Sequence, residues 1–371
     1  MKVLLCSPYS IGLQYVKGGI VVWAQNIVDY YNTLSAGLKL LVVPYDRTTN
    51  NNEEKWLLSR AWGGLVEYMK PIKKTNALLN KRDIDVVHLC TSASFSLLKD
   101  LIVLRMVKRK GAKSVIHFHF GRTPELAEKQ NWEWKLLRRV IGIADAAITI
   151  DMKSYKTLLK HGFQNVYYLP NPLPSSIKRQ IRHDFSFIER KARRVLFVGH
   201  VIPTKGVFEL VEACKGIKDV ELHIVGKVQD EVRSRMVEMS GGGGWLTFDG
   251  EVDHQCVIRE MLASSIFVLP SYTEGFPYVI IESMACGCAI VATDVGAIPE
   301  MIGEEDGKQF GIIVRPKDVQ QLKTAITGLL SDNKLMEECM KNAQERVDQR
   351  YAMPIVWDYL TSIWSTVNIK Q

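Results

Sequence analysis

Pro270-Ser-Tyr-Thr-Glu-Gly-Phe-Pro-Tyr-Val-Ile-Ile-Glu-Ser-Met-Ala-Cys-Gly287 reads as a short loop running into a helix. Gly275 and Pro277 punctuate the loop, and the apolar run from Tyr278 to Ala285 carries the helix. Two carboxylates sit eight residues apart, Glu274 in the loop and Glu282 inside the helical pattern. A helix start concentrates unpaired N–H groups and the positive end of the dipole, which makes it a seat for a phosphate or diphosphate. The carboxylates would then face a ligand's hydroxyls. Working outward, Val195-Leu-Phe-Val198 is an apolar strand ending in Gly199, followed by His200, Lys205 and Gly206, a strand-to-helix turn with a cation beside it.

These two motifs resemble those of the retaining glycosyltransferases of family 4 (glycosyl transferases group 1), which have the GT-B fold. That family carries a Glu, seven residues and a second Glu, preceded by a Gly-Arg-(four or five residues)-Lys-Gly loop. The first motif matches fully, through Gly275-Phe276-Pro277 and the Ser-Met-Ala-Cys-Gly closing its helix. The second matches at Gly199, Lys205 and Gly206, with His200 where the family usually has Arg. The likeness covers roughly residues 190 to 350 well and the first half loosely.

The resemblance implies two Rossmann-like doubly wound domains facing one another across a cleft. It implies a donor site in which Glu282 binds the nucleotide ribose and Glu274 contacts the donor sugar. Backbone N–H groups from Gly275 through Phe276 and Pro277 to Tyr278 would hold sugar hydroxyls and diphosphate. Lys205 would compensate the leaving diphosphate, the main electrostatic demand of sugar transfer in enzymes that use cations and helix dipoles instead of a metal. The other reading of Lys205 is a solvated helix-start lysine. His200, with a reference pKa near ~6.5, is only partly cationic at neutral pH and would replace a permanent bidentate donor.

The rest of the chain is consistent with that architecture. In 371 residues, 47% hydrophobic and 24% charged, two ordinary domains can each bury a core. No apolar run approaches the ~20 residues of a membrane helix, and the N-terminus enters a strand-like run without the features of a signal peptide. Cytoplasmic residence is therefore expected. Seven scattered cysteines suit reduced core thiols better than disulfides, and Cys286 and Cys288 lack the partners for a zinc site. The net charge of +8 is clustered at Arg105 to Lys113, Lys135 to Arg139 and Lys178 to Arg194. Without a nucleic-acid signature, such clusters point first to an anionic membrane surface.

Strand and helix patterns alternate through both halves, which argues parallel sheets covered on both faces. Strands are expected over Lys2 to Cys6, Lys39 to Val43, Ile84 to Leu89, Ser114 to Phe118 and Ala146 to Ile150. They resume over Val195 to Val198, Glu221 to Val225, Leu246 to Phe248, Ile266 to Leu269, Ala289 to Ala292 and Gly311 to Val314. Helices are expected over Val21 to Leu34, Leu97 to Lys108, Glu133 to Ile143 and Lys153 to Leu159. Leu169-Pro-Asn-Pro-Leu-Pro174 cannot continue a helix or a central strand, and so makes the linker. The expected domains are 1–172, acceptor-binding, and 173–352, donor-binding, with a C-terminal helix over 353–371 crossing back to the first.

Four further features each carry two readings. Gly18 and Gly19, after the first strand and before a helix, make either a plain turn or a close-approach wall on the diphosphate or acceptor side, as the family's glycine-rich loop would imply. His117 and His119 alternate at the end of a strand and so share a face, as a polar sheet face or a half-formed metal site. The family's functional His after this strand matches His119. Asp83-Ile-Asp85 fits the Asp-x-Asp pattern that binds metal in a different glycosyltransferase fold, but precedes its strand and reads as a turn. Trp56, Trp62, Trp132 and Trp134 lie among basic residues, after an Asn-rich run at Thr48 to Asn52, as core packing or as a membrane-facing surface.

The chain is thus expected to be a retaining, metal-independent hexosyltransferase without a cofactor, with His119, Lys205 and Glu274 as its catalytic residues. Its donor would be a nucleoside-diphosphate sugar, UDP ahead of GDP. Its acceptor would be a glycan, a lipid-linked oligosaccharide of bacterial surface-polysaccharide assembly, met at the inner face of the cell membrane. The rivals are a non-catalytic nucleotide-sugar-binding protein and a GT-B nucleotide-sugar epimerase.

Overall fold

The computed structural model describes residues 1–9, 18–34, 37–44 and 57–369, and the backbone alone over 57–68. The Thr48 to Asn52 run and Trp56 lie outside the described residues, as does the side chain of Trp62. The chain divides into two compact units, Met1–Pro172 with Val356–Gln371, and Leu173–Ile355.

The first unit holds a six-stranded sheet: β1 (Lys2–Ser7), β2 (Lys39–Pro44), β3 (Val86–Thr91), β4 (Lys113–Phe118), β5 (Ala146–Thr149) and β6 (Val166–Tyr168), in the order β2-β1-β3-β4-β5-β6. Every pairing is parallel. The second unit repeats the plan with β7 (Lys191–Val198), β8 (Glu221–Val225), β9 (Leu246–Gly250), β10 (Ser264–Leu269), β11 (Ala289–Thr293) and β12 (Ile312–Val314), in the order β12-β11-β10-β7-β8-β9 and again all parallel. The central strands β3, β5, β10 and β11 are buried along their whole length. Their near-continuous apolar runs suit strands with helices on both faces.

Helix boundaries follow local chemistry. The helix expected over Val21 to Leu34 spans Gly19–Tyr31, because the carbonyl of Gly18 already accepts from the N–H groups of Val21 and Val22. Asp151, Asp253, Asp318 and Asp332 each cap a helix by accepting from a backbone N–H of its first turn. Two elements escape a sequence reading. β6 is three residues of edge strand, too short to show an alternation, and the 25-residue helix Leu57–Lys81 contains Pro71, a residue that ordinarily ends one.

The proline-rich segment is partly buried at the end of the first unit and the start of the second. Leu169, Asn171 and Leu173 are buried, and the Leu173 N–H donates to the Tyr351 carbonyl at 2.6 Å. The second division of the chain falls between Ile355 and Val356, inside the helix Met353–Ile369. From Val356 that helix belongs to the first unit, where Leu360, Ile363, Trp364 and Val367 are buried and Trp364 Nε1 donates to His88 Nδ1 at 2.9 Å.

Three features that the sequence left open are decided here. In the basic run Lys178 to Arg194, Arg190 donates to the carbonyls of Ser264 and Cys286, Arg193 to that of Lys218, Arg194 to Glu260, and Lys178 pairs with Asp348, while Arg179, Arg182 and Lys191 are exposed. Trp134 is not at the surface but fully buried, edge-on to His161. Asp85 accepts the Lys2 backbone N–H at 2.6 Å, and Asp83 lies 3.8 Å from the Lys2 ammonium, so the Asp-x-Asp pair holds the strand starts together.

Candidate active site

In the second sheet β7 is the first strand in sequence, β8 and β9 build to one side of it, and β10 returns to the other. The loops after β7 and β10 therefore emerge side by side at the carboxyl ends where strand order reverses, the place where open α/β sheets bind ligands. Backbone contacts lock these loops together. The Tyr272 N–H donates to the Thr204 carbonyl at 2.9 Å. Gly206 has φ +70°, and a Cβ there would lie 2.1 Å from the Pro270 carbonyl oxygen, so only glycine allows this approach. On the far side the loop after β11 closes in: a Cβ on Gly296 would lie 2.4 Å from the Glu274 carbonyl, and Ala297 N–H donates to Gly275 O at 2.8 Å.

This packing brings together residues that sequence separates. Lys205 Nζ donates to Glu274 Oε1 at 2.6 Å, and Ser271 Oγ donates to the same oxygen at 2.7 Å. Both contacts fall on Oε1, and the Glu274 side chain is largely buried. Ser271 is itself anchored, since its carbonyl accepts from Thr293 Oγ1 at 2.6 Å. Phe276 and Pro277 are buried, Phe276 edge-on to Tyr351, and this fixes where the helix Tyr278–Ala285 begins. No side chain caps that helix start. One turn in, the buried Glu282 meets His254 Nε2 at 2.9 Å, and this hydrogen bond is the main reason the His254 ring is held above its usual pKa. His200 is exposed beside Gly199 at the end of β7.

Three of these partners have no place in the motif. Ser271 sits three residues before Glu274, a spacing that could have flagged it. His254 stands 28 residues from Glu282 with nothing local to mark it. Tyr272 donates to Glu209 at 2.5 Å and lies under Lys317, whose Nζ is 4.8 Å from the ring centre. Burial and that acceptor push the Tyr272 phenol up to about 12, so it stays a donor.

The remaining predicted residues, Gly18, Gly19 and His119, lie in the first unit at the carboxyl side of β1 and β4. Both glycines are exposed at the start of their helix. One turn further in, Trp23 packs against His119 and His117 at ring distances of 5.0 and 4.8 Å, and stacks on His88 at 5.4 Å. Burial lowers His88 and His119 to about 3 and His117 well below its usual value. All three rings are neutral at ordinary pH, so His119 can offer a hydrogen bond but no positive charge.

Two groups could be considered for a metal among the described residues: His88, Cys90 and His117, and His223, Asp249 and Glu260. His88 fits poorly. Its Nδ1 accepts from the Trp364 indole, so the neutral ring carries its proton on Nε2 and has no lone pair to give. In the second group Glu260 is already paired with Arg194 at 3.0 Å.

Comparison with known proteins adds the following. Residues 178–346 match the family described as Glycosyl transferases group 1. A teichuronic acid biosynthesis glycosyltransferase of Bacillus subtilis, TuaC, is 28% identical over 201 residues, covering 52% of this chain and 49% of that protein. A phosphatidyl-myo-inositol mannosyltransferase of Mycolicibacterium smegmatis is 31% identical over 186 residues, covering 48% and 46%. The chain thus spans about half the length of the curated relatives it matches. Among solved structures, sucrose-phosphate synthase from Thermosynechococcus elongatus superposes with a TM-score of 0.72 at 18% identity, over 99% of this chain and 98% of that one. Anabaena HepE in complex with UDP-glucose superposes with a TM-score of 0.67 at 18% identity, over 99% and 100%. Residues 178–346 therefore match the glycosyl transferases group 1 family, in a chain of two parallel-sheet α/β units with the fold of GT-B glycosyltransferases.

Proposed function

We propose that the protein transfers a hexose-type sugar, with retention, from a nucleoside-diphosphate sugar to a lipid-linked glycan acceptor of surface-polysaccharide assembly. The first unit would take the acceptor and the second the donor, with UDP preferred to GDP as the nucleotide. The observation that carries the reading is the Lys205–Glu274–Ser271 constellation. It sits at the strand-order reversal of the second sheet, beside an uncapped helix start and the buried Glu282.

Each part has a task in sugar transfer. Lys205 and the helix start meet the charge that grows on the departing diphosphate, and Glu282 Oε2 accepts from a ribose hydroxyl. Glu274 has its charge matched by Lys205, which suits a carboxylate that orients sugar hydroxyls better than one that attacks carbon. Retention then rests on positioning and leaving-group stabilisation, with the departing phosphate taking the acceptor's proton on the same face. The reading draws support from the names of the relatives, one named for teichuronic acid biosynthesis and another for phosphatidyl-myo-inositol, and from the UDP-glucose in the Anabaena structure. Acceptors carried on lipid would bring the protein to the inner face of the membrane.

A thermal-shift series with UDP, GDP, ADP and their sugar conjugates, without added metal, tests the donor site. A ligand that binds only the folded protein raises its midpoint by mass action. The shift is expected with UDP and to be lost in Glu282→Ala. Turnover with the matching donor should fall by ~100-fold or more in Lys205→Ala and Glu274→Ala, the size of losing one preorganised electrostatic contact. A shift without turnover over a range of glycan acceptors would leave a binding protein, and conversion of the donor alone would make it an epimerase.

A further inference from the structure

Two neighbouring helices of the first unit turn an apolar tip and a basic band to the outside. The helix Ser96–Arg109 buries Leu97, Asp100, Val103, Leu104 and Val107. The opposite face exposes Phe95 just before the helix, then Leu98, Ile102, Arg105 and Arg109, spaced at three and four residues as one stripe. The helix Trp132–Ile143 likewise buries Trp134, Leu137, Val140 and Ile141, and exposes Trp132, Lys135, Arg138 and Arg139. Phe95 is 66% exposed and Trp132 52%, and their rings stack on each other with centres 5.2 Å apart.

The exposed pair is built. Ala93 and Ser94 both have positive φ, 66° and 56°, a left-handed turn that costs non-glycine residues roughly 1–2 kcal/mol each. A buried carboxylate holds the turn: Glu133 accepts from the Ser94 N–H at 2.7 Å, from Ser94 Oγ at 3.0 Å and from both terminal nitrogens of Arg122. Glu133 lies next to Trp132, so one network fixes both ring-bearing segments.

We infer that this face docks onto an anionic lipid bilayer, with Phe95, Trp132, Leu98 and Ile102 set among the upper acyl chains and the basic residues against lipid phosphates. The layering supports that occupant. The apolar side chains cluster at the starts of the two helices, and Arg105, Lys108, Arg109, Lys135, Arg138 and Arg139 follow further along them. Among the described residues neither helix exposes a carboxylate. Aromatic rings at the interface with cations at headgroup level are the pattern of an interfacial membrane contact. A second copy of this chain, docked face to face, would set like charges against like. The inference does not depend on the donor chemistry, because binding to vesicles needs no nucleotide.

The test is co-sedimentation of the whole protein with phosphatidylcholine vesicles, with and without phosphatidylglycerol. Binding is expected to the mixed vesicles only, to weaken with salt, and to shift Trp132 emission to the blue relative to a Trp132→Phe reference. Phe95→Ser with Trp132→Ser should lower partitioning by at least ~10-fold. Arg105→Gln with Arg109→Gln should lower it by about 10-fold, on the mixed vesicles alone. These positions are exposed, so the melting profile should hold; should the ring variant not fold, Leu98→Gln carries the same expectation of loss. Wild-type protein that ignores anionic vesicles, folded variants that bind as well as wild type, or a concentration-dependent self-association that the ring variant abolishes would each overturn the inference.

Discussion

His254 and His119 are the same residue type in surroundings that push them in opposite directions. The hydrogen bond to Glu282 raises His254, so its contribution to stability is fully present below ~6.5 and is lost as pH climbs through the raised value. The ring is 55% exposed and solvent screens the pair, which keeps the effect below ~1 kcal/mol. Melting wild type against His254→Gln should show a wild-type advantage at pH 5 to 6 that shrinks by pH 8. Burial does the reverse to His88 and His119, lowering both to about 3. The unfolded chain binds a proton below ~6.5 that each folded ring refuses, so each removes roughly 1.4 kcal/mol per pH unit from ~6.5 downward. Denaturant midpoints taken from pH 7 to pH 4 should fall, and His119→Gln should flatten that slope by about one proton. A slope unchanged by the substitution would mean that His119 titrates freely and has water beside it.

The elements that matter most are two loops, those after β7 and β10, and what holds them is the absence of a side chain. Gly206→Ala would drive a Cβ into the Pro270 carbonyl at 2.1 Å, with φ at +70°. The loop bearing Lys205 must then move away from Glu274. We expect a loss of ~2–4 kcal/mol in stability, larger than a backbone penalty alone, together with loss of the nucleotide-induced thermal shift. Gly216→Ala is the control: its φ is +76°, but a Cβ there meets nothing within 4 Å. That variant should cost about 1 kcal/mol and keep the shift. Equal effects of the two would show that conformational strain, and not the close approach of the loops, sets the geometry.

At the scale of the whole molecule, the final helix is bonded through sequence to the second unit and energetically to the first. Trp364 is fully buried, stands edge-on to Trp357 and supplies the indole N–H to His88. Trp364→Ala should cost the protein ~3–5 kcal/mol, from the cavity and from the unpaired His88 nitrogen. Seven of the eight tryptophans fall in the first unit and only Trp245 in the second. Tryptophan emission should therefore report an early transition in this variant, while UDP still raises the midpoint of what remains folded. Loss of the UDP effect at temperatures where the rest of the chain is intact would show that the first unit governs the donor site. Along the length of the chain, no helix of the described residues is long and apolar enough to cross a membrane.

What the sequence determined by itself was everything local. Alternating apolar runs placed eleven of the twelve strands, because a strand buried on both faces must be apolar throughout. The spacing from Glu274 to Glu282, and of Gly199, Lys205 and Gly206, marked the candidate site through the family motifs it resembles, and turns and helix starts are written in neighbouring residues. Only the tertiary structure decided which residues meet. The pairing of His254 with Glu282 across 28 residues, the packing of the buried His88 ring against His117, and the internal use of Arg190 and Arg194 leave no periodic trace in sequence. Strand order sets those meetings, and strand order is fixed by packing between segments far apart in the chain, where a side chain's neighbours, and so its charge and accessibility, are first defined.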